Sequence, residues 1–294
     1  MNFADRLFEA VREKGSVVVV GLDPRPELLP PSLSPAPDAG AEAVAKAFLA
    51  FNEAVIEAVA PYAVAVKPQV AFYEKLGPAG METFARTCRA AAERGLLVIG
   101  DVKRGDIGST AEAYADAWFG GPYACDAITL NPYLGADSLR PFVSRCEEGY
   151  GCFVLVRTSN PGAADLQDVR DARGRPLYLR TAEMLASLGG DCVGECGYSA
   201  VGAVVGATWP EQLAELRAAF PSLPFLVPGY GAQGGTAEDV RGAFDADGLG
   251  AVVNSSRGII FAYRKYESCG FEEAAARAAR EMRDEFRGIL PALR

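Results

Sequence analysis

Five charged side chains sit at or just past the ends of short apolar runs in this sequence. Asp23 follows the run 16–22, Lys67 closes 62–67, Asp101 closes 96–101 with Lys103 two residues on, and Arg257 follows 251–254. A single charge at a strand end is ordinarily a solvated rim residue. Lys67 is harder to explain that way: it closes Val64-Ala65-Val66, where an ammonium needs a carboxylate partner. In Asp101-Val-Lys-Arg-Gly-Asp-Ile-Gly-Ser-Thr110, Asp101 and Lys103 share one side of an extended chain, because side-chain direction repeats every two residues. Asp106 follows in the loop, and Thr110 lies four residues on, on the same face of the incoming helix. An enzyme with this composition would be built around such lysines and carboxylates. Alone, the spacing D-x-K-x-x-D describes a charged, solvated turn at least as well. A second candidate is Pro228-Gly-Tyr-Gly-Ala-Gln-Gly-Gly235. Its backbone N–H groups can approach an anion, and with Arg257 on the next strand it reads as a phosphate site; by itself it would be a flexible loop.

The chain contains no histidine. Ser-His-Asp triads, Cys-His dyads and His-ligated zinc are thereby excluded, and proton transfer falls to Lys, Asp, Glu, Tyr or Cys. Against 38 Asp+Glu there are 29 Lys+Arg, a net charge of −9. That field argues against a nucleic-acid or anionic-membrane partner, while leaving room for a local basic pocket around a small phosphate. Seven cysteines, an odd number without a C-x-x-C pair, read as reduced structural thiols. The opening Met1-Asn-Phe-Ala-Asp-Arg carries an acid and no hydrophobic signal core, and no apolar run of about 18 residues occurs. A cytoplasmic location is the expectation.

The elements that must position these residues alternate. Strand-like runs at 16–22, 62–67, 96–101, 126–130, 152–157, 201–205, 224–227 and 251–254 are interleaved with helical patterns near 41–60, 79–94, 109–118, 137–146, 178–188, 210–219, 236–243 and 271–287. A further helix is expected over 2–13. Continuous apolar strands between helices imply a parallel sheet buried on both faces. Eight such units favour a closed (β/α)8 barrel over an open doubly wound sheet, and 294 residues, 50% hydrophobic, suit one such domain over 1–294. The segments 24–37 and 160–175 read as long loops after strands 1 and 5, at the C-terminal rim. A barrel brings all its strand ends to that rim, so the scattered charges become one site.

The stretch DVKRGDIGSTA resembles the signature of the orotidine 5′-phosphate decarboxylases, in particular a bacterial branch with longer chains. The likeness runs through VGLDPRP, VKPQVAFYE, TLNPYLG, VRTSNPG, VPGYGAQGG and NSSRG, in order and along nearly the whole chain. It implies a cofactor- and metal-free enzyme that converts orotidine 5′-phosphate to UMP and CO2. Lys67, Asp101, Lys103 and Asp106 would form its charge array, with Asp106 reaching in from the other subunit of a homodimer. Asp23 would hold the ribose together with Thr110 of the partner chain, and Ser159 would meet the pyrimidine edge. Gln233 and Arg257 would bind the phosphate.

Other readings of the same residues are distinguishable. A sugar-phosphate enzyme sharing the D-x-K-x-x-D barrel, such as a keto-gulonate-phosphate decarboxylase or hexulose-phosphate synthase, would use Mg2+; Lys67 would repel that cation, and sensitivity to EDTA would reveal it. A Schiff-base aldolase would be trapped by borohydride with a carbonyl substrate. A catalytically silent nucleotide-phosphate binding protein would bind UMP without turnover. Arg104 reads as a structural ion pair, and Trp118 and Trp209 as core or interface. The residues Asn131-Pro-Tyr-Leu-Gly135 read equally as pocket lining or as a turn.

Overall fold

Eight parallel strands close on themselves in sequence order, each next to its neighbour in the chain and the eighth beside the first. The structure, a computed structural model, describes residues 1–231, 234–266 and 269–293. Its strands are β1 (Val18–Leu22), β2 (Ala65–Pro68), β3 (Leu97–Arg104), β4 (Ala127–Leu130), β5 (Gly151–Arg157), β6 (Val201–Val205), β7 (Phe225–Val227) and β8 (Ala251–Ser255). The helices up to β5 are α1 (Phe3–Lys14), α2 (Ala41–Val59), α3 (Ala71–Glu74), α4 (Gly77–Glu93), α5 (Gly108–Trp118) and α6 (Ala136–Val143). Those beyond it are α7 (Ala164–Gln167), α8 (Leu177–Leu188), α9 (Pro210–Ala219), α10 (Ala237–Val240), α11 (Arg257–Ile260) and α12 (Phe271–Ile289). This is the expected (β/α)8 barrel. Strands such as β1 and β6 are buried at every position, which is why they read as unbroken apolar runs.

Three short helices escape the periodic pattern. The four-residue helices α3, α7 and α11 are too brief to show a 3.6-residue repeat. The expected helix at 137–146 ends at Val143 and continues as a 3-10 turn over Ser144–Glu148, with Pro141 inside its last turn. The segment 236–243 is likewise α10, started by a Thr236–Asp239 capping box, followed by a 3-10 turn. Strand β2 begins later than expected because the amides of Tyr62 and Ala63 still bond to the Val59 carbonyl. Strand β3 runs past Asp101 to Arg104.

Helix α1 closes the bottom of the barrel. Asn2 caps it, and Phe3, Leu7, Phe8 and Val11 form its buried face. The Phe3 ring packs edge-on against Phe153 and occupies the place a side chain at Gly151 would need, since a Cβ there would lie 2.2 Å from the ring. Burying a ring in this way contributes about 1.5–3 kcal/mol. The seven cysteines are free thiols. No helix among the described residues is long and apolar enough to cross a membrane.

Candidate active site

Lys67 stands on β2 opposite Gly21 of β1, and Asp101 on β3. The two residues are only 5% and 7% exposed. A lysine that deep is tolerable only when paired, and its Nζ lies 2.5 Å from Asp101 Oδ2. The second carboxylate oxygen, Oδ1, accepts from Lys103 Nζ and from Thr129 Oγ1 on β4. One carboxylate therefore bridges two ammonium groups. Burial alone would lower the pKa of Lys67, but the charges of Asp101 and Asp23 and the hydrogen bond to Asp101 outweigh it and raise it above the ordinary lysine value. Burial would likewise raise the Asp101 pKa; Lys67 and Lys103 prevail and hold the carboxyl well below the usual range.

Lys103 reaches Asp101 by an unexpected route. An extended strand would place both on one side, whereas Lys103 has φ of +47°, a left-handed conformation uncommon for a side-chain-bearing residue. Its side chain remains 46% exposed and faces a cavity of about 700 Å3. Lys67, Asp101, Lys103 and Thr129 line the polar side of this cavity; Leu155, Val204 and Leu226 line an apolar side.

Ser159 is in the cavity wall. Its strand end is clamped from several sides. Gln167 accepts from the Thr158 amide at 2.9 Å and donates to the Thr158 hydroxyl at 2.9 Å, and Trp209 Nε1 donates to the Thr158 carbonyl at 2.8 Å. A side chain at Gly206 would lie 2.8 Å from the Ser159 Cα, so glycine there admits the close approach. The buried Arg157 pairs with Asp168 at 3.0 Å and stacks 3.8 Å from the Trp209 ring centre. Trp209 thus braces the wall, while Trp118 is core. Asn131 and Pro132 do both things expected of them: they line the cavity, and Asn131 Oδ1 and the Pro132 carbonyl organise the turn to Gly135.

The remaining expected residues make no hydrogen bond or ion pair to this cluster among the described residues. Asp23 follows β1 with Oδ1 buried and unbonded among the described residues, its charge close enough to act on Lys67. Asp106 caps its own turn, accepting from the Ile107 amide at 2.8 Å, and forms no ion pair with Lys103 in this chain. Thr110 is exposed on the first turn of α5. Arg257, the first residue of α11, is exposed and makes no ion pair with any described residue. Gln233 lies outside the described residues. Around it, Gly229, Gly231 and Gly234 have φ of 97°, 69° and 93°, backbone shapes that favour glycine. Arg104 pairs with Glu74 and lies over the rings of Tyr114 and Trp118, the structural role its position implied. Thr129 was not singled out by the sequence; a threonine in a strand carries no signal of its own.

Comparison with known proteins places this geometry in context. Residues 16–269 match the model of the orotidine 5′-phosphate decarboxylase / HUMPS family. An orotidine 5′-phosphate decarboxylase of Rhodopirellula baltica is 48% identical over 302 residues, covering 98% of this chain and 100% of the relative. One of Clostridium perfringens is 43% identical over 286 residues, covering 97% and 98%. The solved structure of Leishmania donovani OMP decarboxylase superposes with a TM-score of 0.80 at 36% identity, covering 99% of this chain and 100% of the other. A barrel matched over its whole length, carrying the lysine–aspartate cluster at its rim, accounts for these likenesses together: the chain belongs to the orotidine 5′-phosphate decarboxylase / HUMPS family.

Proposed function

We propose that the chain removes CO2 from orotidine 5′-phosphate to give UMP, the last step of de novo pyrimidine nucleotide synthesis, with Lys103 as the acid. The carrying observation is the Asp101 carboxylate held between the Lys67 and Lys103 ammonium groups on the polar wall of the cavity. When the bond from C6 of the pyrimidine to the carboxylate carbon breaks, its electron pair stays on C6. An ammonium about 4 Å away stabilises that pair by roughly 4 kcal/mol at an effective dielectric near 20. Lys103 then transfers a proton to C6, CO2 departs, and the exposed amine regains a proton from water. Asp101 holds both ammonium groups by hydrogen bonds, and groups fixed in advance need no reorganisation during the reaction.

Both Asp101 oxygens are occupied by lysines, which disfavours the Mg2+-dependent reading and supports chemistry without metal or cofactor. In our reading Asp23 holds the ribose, Ser159 meets the pyrimidine, and Gln233 with Arg257 takes the phosphate. Asp106 and Thr110 serve the partner's site in a homodimer. Support for that arrangement comes from the exposure of Thr110 and from Ile107 and Tyr133, 57% and 77% exposed, which a second copy would cover. We read residues 1–294 as one domain, acting on a small molecule rather than on nucleic acid or membrane. Free thiols suit the reducing cytoplasm.

The test is the ultraviolet absorbance of orotidine 5′-phosphate incubated with purified, EDTA-treated protein. A fall in absorbance with UMP as product is expected. No change at saturating substrate, with UMP still bound, would instead mark a silent binding protein.

A further inference from the structure

Strands β3 and β4 lose register where the lysine–aspartate cluster is built. Gly100 pairs with Ile128 and Arg104 with Leu130, so Asp101, Val102 and Lys103 together stand opposite Thr129 alone. Such a bulge leaves amides without a ladder carbonyl. Thr129 Oγ1 accepts from both, from Val102 N at 3.0 Å and Lys103 N at 2.9 Å, and lies 3.1 Å from Asp101 Oδ1. A hydroxyl has two lone pairs and one proton. The two amides take the lone pairs, so the proton points to the carboxylate. One buried oxygen thus fixes both the backbone that carries Lys103 and the carboxylate that grips its ammonium. Around it, Ala127, Ile128 and Leu130 are apolar, and a valine would fill the same space. The strained φ of Lys103 persists only if its surroundings hold it.

We infer that Thr129 is a positioning residue for the decarboxylation proposed above, and the inference rests on that reading of the site. Its hydroxyl keeps the 101–103 bulge in the shape that sets the Lys103 ammonium on Asp101. Thr129→Val keeps the volume and removes the acceptor and the donor. The variant should lose about tenfold or more in kcat, because two amides lose their partner and Asp101 Oδ1 loses one of its two donors beside the acid. Affinity for UMP should stay within about twofold, since the contacts to ribose and phosphate lie elsewhere. Thr129→Ser, which restores the hydroxyl, should recover most of kcat.

Measurement of kcat, KM and the UMP dissociation constant for wild type, Thr129→Val and Thr129→Ser decides it. A valine variant that keeps more than about half of wild-type kcat overturns the inference, as does a serine variant as slow as the valine one. A loss seen mainly in UMP affinity would make Thr129 a contact residue and overturn it too. Should Thr129→Val fail to fold, Thr129→Ala replaces it: alanine slow and serine fast supports the role, equal rates refute it. An inactive wild type would instead sink the reading of the site itself.

Discussion

The ends of the adjoining strands β2–β4 and the ends of β7 and β8 form a pair of regions built in opposite ways. At the first, Lys67, Asp101 and Thr129 are buried, mutually bonded and already set around the Lys103 ammonium. At the second, Arg257 is exposed and unpaired among the described residues, beside a loop whose glycines take positive φ. Different tasks account for the difference. Charges that must meet an electron pair as it forms have to be fixed beforehand, or their reorganisation adds to the barrier. Groups that grip a phosphate can be assembled by the phosphate itself, and the binding energy released there can serve the reacting carbon.

The fixed end should be the more sensitive one. Lys103→Ala is expected to lower kcat by about 10^4-fold or more, combining the loss of an acid with the loss of a charge at C6. UMP affinity and the fold should largely survive, as measured by calorimetry and circular dichroism. Retention of more than about a tenth of kcat would remove Lys103 from the role of essential acid. At the open end, Arg257→Ala should reduce kcat/KM for orotidine 5′-phosphate by about a hundredfold, the worth of a charge-assisted phosphate contact. Turnover of orotidine without its phosphate should hardly change. Equal loss on both substrates would place Arg257 in a structural role and erase the contrast between the two ends.

The two ends also differed in how far the sequence disclosed them. Lys67 at the close of an apolar run demanded a carboxylate, and Asp101 supplies it from the neighbouring strand. The pairing of Arg104 was expected, although nothing local pointed to Glu74 as its partner. Thr129 stayed hidden because its role depends on a register shift, which belongs to two strands at once and to no local pattern. The left-handed turn at Lys103 was hidden for the same reason. The barrel itself was legible from eight apolar runs, whereas four-residue helices such as α3 and α11 were too short to register a period. At the open end the glycine run and Arg257 on the next strand marked a place for an anion, and the resemblance assigned Gln233 and Arg257 to it.

Asp106 and Thr110 belong to neither end within one chain, and a mixing experiment asks whose site they serve. Lys103→Ala and Asp106→Ala proteins should each be inactive. In a mixed dimer with shared sites, one site collects both substitutions and the other receives Lys103 and Asp106 intact. Random exchange of equal amounts makes half the dimers mixed, so about a quarter of all sites should regain wild-type composition and activity. Mass spectrometry of differently tagged chains establishes that exchange occurred. Mixed dimers without recovered activity would return Asp106 to its own chain's site.

The last expected effect is on stability rather than rate, and it concerns the fixed end alone. Asp101 has a folded-state pKa below its ordinary value of 3.8, so between the two values the unfolded chain binds the more protons. Its contribution to stability is therefore complete above about pH 4 and fades as pH falls below that point. Lys67 has the opposite sign. Its folded pKa lies above 10.5, so its contribution is complete below that value and is lost only as pH rises through the raised one. Asp101→Asn removes the charge on which both shifts depend. The variant should melt well below wild type, on the order of 3–5 kcal/mol, because Lys67 is left buried without its counter-charge. That gap should hold level from about pH 5 to 9 and narrow in acid. Differential scanning fluorimetry across this range is sufficient. A gap that narrowed between pH 5 and 8 would assign the titration to another group. A gap unchanged down to pH 3 would mean that the lysines do not hold Asp101 ionised, and the charge cluster would then be no more fixed than the phosphate end.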